Sequence, residues 1–491
     1  MRRRLRGKQS PGPVACEGQF FKVVDFLGEP LGLNVFRIAA VSRGCFECLS
    51  NYQTRLWKQI FARQISLRRW KSRDAVFNSL VHRIPLHLPS LDLQLGNPEW
   101  LSHDHVSTET LRHLLGKLGT PNKLSLEIFS CDGDFQLELM RKLPPTLEAF
   151  SLTMSLEEGV VAALARSLPT GLRSLSLDFR CILRGNLSCL LTALPANLQH
   201  LKLDMAEVFS DEHVPKLLAA MRAAPVLETL FLGMENTDLR AESASDLIRH
   251  LPRRLHQLTL KMGSLDLRGP DVPTSLAEAL SRMNSLRILD LNFEDSQVDV
   301  HEFMPRVLGA ITVHLLECSL NFAACNVGAH CLQALADMLA RQSSLRKLAL
   351  DLRAAHVDFK AKKIARSLPP SIKDLTLSFF NSELSGASMD VLSASLPKGL
   401  RSLGLNIDGC SSLTRKNVET LLRSLPGSLV KLHLEIEWKS LSGIRRAVLP
   451  PDLEKLCYVP MPCTSLAQTR GVLLHALRKP SKLFGSCGRS S

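Results

Sequence analysis

Cys45-Phe-Glu-Cys48 and His103-Asp-His105 are the two places where metal-ligating residue types crowd together in this 491-residue chain. A structural zinc site needs four ligands, and neither cluster has a second pair at a suitable spacing. The cysteines fall in a segment of helical apolar spacing and read as structural; the histidines fall in a loop and read as solvated. Gly116-Lys-Leu-Gly119 has the wrong spacing for a phosphate loop, and no Walker-type, dinucleotide-binding or H-E-x-x-H motif occurs. Nothing pairs a nucleophile with a base. The expectation is a non-enzyme with no catalytic residue, no metal and no cofactor.

Residues better suited to recognition recur at a fixed interval. His200, Lys202, Asp204, Phe231, Asp290, Asn292 and His433 each occupy the third, fifth or seventh place of a repeated unit. The unit begins Leu-x-x-Leu-x-Leu, clearest at 147, 172, 198, 227, 255, 286, 345, 400 and 429, weaker at 88, 121, 315, 372 and 453. The fourteen starts are about 28 residues apart. From its fourth residue each unit alternates apolar and polar at period two, which predicts a strand with one inward face. The spacing then becomes helical, as in Leu332, Leu335 and Leu339, which predicts a helix packed behind the strand. Eight units end in Leu-Pro, with Pro144, Pro169, Pro195, Pro252, Pro369, Pro397, Pro426 and Pro450 each three residues before the next start. Proline cannot continue a helix, so it punctuates at a constant register.

Composition narrows the partner. Net charge is +14, but residues 1–75 hold +10 and residues 461–491 hold +5, which leaves −1 for everything between. The charged outward strand positions comprise nine carboxylates and six lysines. Such a face suits a protein better than a polyanion, so nucleic acid is not the expected partner. No run of 18 apolar residues implies a membrane span, and no apolar stretch follows the basic Met1–Lys8 to make a secretory signal. Thirteen cysteines without framework spacing fit a reducing compartment, so a cytoplasmic or nuclear location is expected. The Arg2–Lys8 cluster reads either as an import or anionic-surface tag or as a solubilising leader.

A self-similar period of this length resembles the leucine-rich repeat family, nearest to its ribonuclease-inhibitor-like class. The resemblance implies an α/β solenoid over residues 87–460: a parallel β ribbon of about 14 units with helical returns, whose outward strand positions line a concave face that binds a protein. One departure is plain. The Asn or Cys usual after the strand is replaced by Ser155, Arg180, Ala206, Gly263 and Glu294, so the family's internal amide ladder is expected to be absent or irregular.

Ahead of the array, residues 19–66 run Phe20 to Leu27, Leu31, Leu33, Phe36, Ala40-Val41-Ser42-Arg43 and Leu56-Trp57-Lys58-Gln59-Ile60-Phe61. This small all-α pattern resembles an F-box, matching it at Val24, Phe26, Leu27, Leu31, Phe36, Val41, Leu56 and Trp57. It lacks the opening Leu-Pro of that motif and has Phe46 where Trp is usual. The resemblance implies that Phe26, Leu27, Leu56 and Trp57 dock on the linker subunit of an SCF-type cullin–RING ubiquitin ligase, making the chain a substrate-recognition adaptor. On residue spacing alone, the same helices serve equally as a cap for a repeat scaffold or inhibitor with no ligase link. Residues 1–18 read as a disordered basic leader, 67–86 as connector and cap, and 461–491 as a short helix and basic tail.

Overall fold

Alternating leucines pull one side of each start into the interior and fix the register, because a one-residue slip would expose every one of them. A computed structural model describes residues 65–70, 90–95, 121–128, 133–154, 158–179, 187–298, 300–325, 327–354, 361–436 and 455–459, with positions 109 and 112. In it a strand begins two residues after every one of the fourteen starts. The chain divides into two units, residues 1–200 and 201–491.

The first unit holds β1 (Ile65–Trp70), β2 (Ser90–Leu95), β3 (Lys123–Ile128), β4 (Ala149–Met154) and β5 (Ser174–Phe179), each paired in parallel with the next. Strand β6 (His200–Asp204) starts on the last residue of that unit. The second unit continues with β7 (Thr229–Gly233), β8 (Gln257–Lys261), β9 (Ile288–Asn292), β10 (Glu317–Asn321), β11 (Lys347–Asp351), β12 (Asp374–Ser378), β13 (Ser402–Asn406), β14 (Lys431–Glu435) and β15 (Lys455–Val459). From β7 onward the pairing is parallel and in register throughout. Each unit is a leucine-rich repeat stack.

Strand β1 was not expected. Residues 67–86 read as connector, yet Leu67–Trp70 belong to a strand that pairs Ile65 with Leu91 and Leu67 with Leu93. The leading residue of the unit is Ala62 rather than Leu, and Arg68-Arg69 breaks the alternation where the register shifts. The F-box-like positions Val24 to Trp57, the basic leader and the C-terminal tail lie outside the described residues.

Helical returns such as Asp271–Arg282, Val300–Ala310 and Ala329–Arg341 pack on one another behind the strands. Leu332, Leu335 and Leu339 are fully buried, as the helical spacing requires. The apolar slot at the eighth place fills the centre: Phe293 stacks on Phe322 at 5.7 Å and meets Phe303 edge-on at 4.7 Å. Each buried Leu or Phe contributes roughly 1.5–3 kcal/mol. The prolines do more than stop helices. The carbonyls of Pro144, Pro169, Pro369, Pro397 and Pro426 each accept the N–H of the leading residue three positions on, at 3.0–3.2 Å.

The missing amide ladder has a substitute. Three residues past the strand end, Glu207, Asn236, Ser264, Asp295, Ala324, Ala354, Asn381 and Gly409 all have φ between 52° and 71°. The N–H of each of the first seven donates to a carbonyl of the following repeat at 2.8–3.1 Å. One residue further, a small buried donor reaches back to the preceding repeat. Ser296 donates to the Met262 carbonyl at 2.7 Å, Cys325 to Phe293 at 3.0 Å, Ser382 to Leu352 at 2.9 Å and Cys410 to Phe379 at 3.1 Å. Among the described residues, repeats are thus tied in both directions without a buried asparagine row.

Candidate functional site

With the leucines inward, the third, fifth and seventh residues of each repeat must face away from the core, and their burial alternates accordingly. His200 is exposed at the end of the first unit. Lys202, Asp204, Phe231, Asp290, Asn292 and His433 all lie half-buried on the ribbon of the second. Three of them gather tightly. The ring of Phe231 lies under the ammonium groups of Lys202, at 4.8 Å, and Lys261, at 5.3 Å. Two cations packed on one aromatic ring hold it in place, and the residue stays half-exposed on the ribbon. Next to it, a Cβ at Gly233 would stand 2.4 Å from an Asp204 carboxylate oxygen, so the absence of a side chain there makes room for that carboxylate.

His433 and Asp290 are more remote. His433 hydrogen-bonds Glu435 at 2.8 Å, five repeats along from Asp290. Between them the fifth-place row runs through Ser319, Ala349, Thr376 and Gly404, a shallow track bounded by the Lys347–Glu317 ion pair at 3.1 Å.

A second row was missed by counting only strand positions. The ninth-place residues Glu235, Glu294 and Arg353 lie two residues beyond their strands and link repeats two apart. Asn292 donates to Glu235 at 2.5 Å while its carbonyl oxygen accepts the Glu294 N–H at 2.9 Å. Asn321 donates to Glu294 at 3.0 Å, and Arg353 bridges Glu294 at 3.0 Å and Asp351 at 2.9 Å. Burial raises the Glu235 carboxyl above its ordinary value, against the pull of Lys261. Burial opposes the Arg353 charge, but Asp351 and Glu294 outweigh it and hold its pKa above the usual value. The only signal in the sequence was the non-consensus residue in that slot.

Among the described residues no group of three or more His, Cys, Asp or Glu could hold a metal ion, and no helix is long and apolar enough to cross a membrane. Burial, with a contribution from Asp290, pushes the Cys318 thiol up to about 12, and burial pushes Cys325 to about 11, so both stay protonated. A cavity of about 150 Å3 lies off the ribbon, lined by Leu267, Gly269, Pro270, Pro273, Glu302 and Phe303. It is below the several hundred Å3 usual for a small-molecule site.

In-register parallel strands, a repeated turn and a helical return make up the leucine-rich repeat fold. No family model and no curated protein matches the chain. Among solved structures it is similar to the leucine-rich repeat-containing protein LegL7 from Legionella pneumophila, at 18% identity and a TM-score of 0.33, covering 61% of this chain and 87% of that one. It is also similar to a chain of the Rad7 and Elc1 complex in yeast, at 16% identity and a TM-score of 0.47, covering 88% of this chain and 99% of that one.

Proposed function

We propose that this chain is a non-enzymatic adaptor that captures a protein on the ribbon face of its second unit and presents it to a ubiquitin ligase. The observation that carries the capture half is the half-exposed Phe231 clamped by Lys202 and Lys261, beside the carboxylate of Asp204. A fixed aromatic with charged neighbours is the kind of anchor that dominates protein interfaces, because little side-chain entropy remains to be lost on binding. The mixed-sign rows around it favour a folded protein with matching charges. The docking half rests on the resemblance of residues 19–66 to an F-box, with Phe26, Leu27, Leu56 and Trp57 as the apolar patch for the ligase linker subunit.

Two variants separate the halves. Full-length protein carrying Leu27→Ala and Trp57→Ala is expected to lose the purified linker subunit in a pull-down while keeping its captured protein. Phe231→Ala is expected to do the reverse. Equal recovery of the linker by wild type and the double variant would reject the ligase connection and leave a repeat scaffold.

A further inference from the structure

The near-zero charge of the repeat body hides a separation. Because the strands of the second unit are parallel and in register, their first residues line one edge of the ribbon and their last residues the other. From the final helical turn to the third place of the next repeat, the eight segments between Arg222 and Lys431 hold sixteen Lys and Arg against four Asp and Glu. On the opposite edge, from the strand end to the first helical turn between Asp204 and Ile436, the described residues hold sixteen Asp and Glu against eight Lys and Arg.

Helix dipoles account for part of this. Arg222, Arg249, Arg282, Arg341, Arg366 and Arg423 sit in last turns, where a cation complements the helix C-terminus. They do not account for the second-place row. Between Glu228 and Val430 that row is His256, Arg287, Leu316, Arg346, Lys373 and Arg401, all exposed. They follow one another as a backbone ladder, each N–H donating to the preceding member's carbonyl at 2.7–2.8 Å. That ladder sets the members about 4.8 Å apart. Among the described residues, Arg346, Lys373 and Arg401 form no ion pair, and neither do Arg253, Arg254 and Lys398 beside the row. Like charges held side by side repel, so folding alone gives no reason to align them. The exposed large aliphatics of the described residues, Val226, Val313 and Leu316, lie on this same edge, at 46%, 41% and 38% exposure.

We infer that the strand-start edge of the second unit is a docking edge for an extended acidic protein segment that also carries apolar side chains. Long, flexible Arg and Lys side chains rooted about 4.8 Å apart can reach carboxylates that recur about every 6.6 Å on one face of an extended chain, and Leu316 interrupts them with an apolar contact point. A row of six spans about 24 Å, the reach of roughly seven extended residues. Nucleic acid fits less well, since the edge carries no Phe, Tyr or Trp on which a base could stack. Residues 1–75 and 461–491 carry +10 and +5 and so do not match a basic edge. The inference concerns a different surface from the Phe231 anchor and stands without it.

The test uses full-length protein and three fluorescent probes of equal charge: an alternating Glu/Leu peptide of about twelve residues, a Glu/Ser peptide of the same length, and an oligothymidylate. Anisotropy titrations at low salt are expected to rank Glu/Leu tightest. The triple variant Arg346→Gln/Lys373→Gln/Arg401→Gln should weaken it by about tenfold or more, three exposed charge contacts being lost together. Leu316→Ser should weaken the Glu/Leu peptide and spare the Glu/Ser peptide. The basic termini are unchanged in every variant, so they cancel in the comparison. Equal binding by the triple variant would overturn the assignment, as would tightest binding of the oligothymidylate. Salt-sensitive self-association abolished by the triple variant would assign the edge to the acidic edge of a second copy instead. A charge-reversed set, Arg346→Glu/Lys373→Glu/Arg401→Glu, with circular dichroism on each variant, separates lost binding from lost folding.

Discussion

Asp204 and Gly233 approach so closely across neighbouring repeats that a methyl group at 233 would stand 2.4 Å from the Asp204 carboxylate oxygen. The Asp204 Cγ, at 2.9 Å, and its backbone Cα, at 3.3 Å, crowd the position as well, so a side chain fits there once Asp204 turns about its Cα–Cβ bond. Gly233→Ala is therefore expected to keep cooperative unfolding, with a thermal midpoint within about 2 °C of wild type, because the entropy gained by removing a glycine offsets the local adjustment. A fall of more than about 5 °C would show that the carboxylate is fixed in place.

The small-donor ladder makes a sharper prediction. Ser382 is buried and donates to the Leu352 carbonyl at 2.9 Å, and Cys325 and Cys410 make the same link in other repeats at 3.0 and 3.1 Å. Ser382→Ala leaves that carbonyl short of a partner and should destabilise by about 1 kcal/mol in urea titrations. Ser382→Cys should lie closer to wild type than Ser382→Ala. The reverse order would remove the ladder as a source of stability.

His213 predicts a pH dependence. Its ring is buried, Nδ1 accepts the Ser210 N–H at 3.1 Å, and Nε2 has no hydrogen-bond partner, the nearest carboxylate being Glu212 at 3.7 Å. Burial pushes its pKa down, with Glu212 opposing. A histidine lowered on folding takes up a proton more readily when unfolded, so its stabilisation is complete above about pH 6.5 and is lost as the pH falls below that. Wild type should lose more stability between about pH 7.5 and pH 5.5 than His213→Gln, read as the difference in thermal midpoint. Parallel curves for the two proteins would exclude His213 as the cause.

What could be read from residues alone was whatever repeats. Leucines at the first, fourth and sixth places located fourteen strands, because burial at period two leaves an unmistakable trace. Ala62-x-x-Ile65-x-Leu67 left none: its first member is too small, and Arg68-Arg69 hides the alternation. The ribbon positions followed from counting, but Glu235, Glu294 and Arg353 did not, since they lie past the strand and join repeats about 57–59 residues apart in the chain. The charged edges were invisible to a summed charge. Sixteen cations on one side and sixteen anions on the other nearly cancel in a total, and separate only when register assigns each residue to an edge.

The left-handed turns give the stack a direction. Ala324 and Ala354 hold a conformation disfavoured for any side chain, and each is held by donating its N–H to the repeat that comes after it. A repeat therefore depends on its successor to stay folded at this corner, while its predecessor depends on it in turn. Losing a repeat thus frees the left-handed corner of the one before it, and the bond its own small donor gives back to that predecessor goes with it.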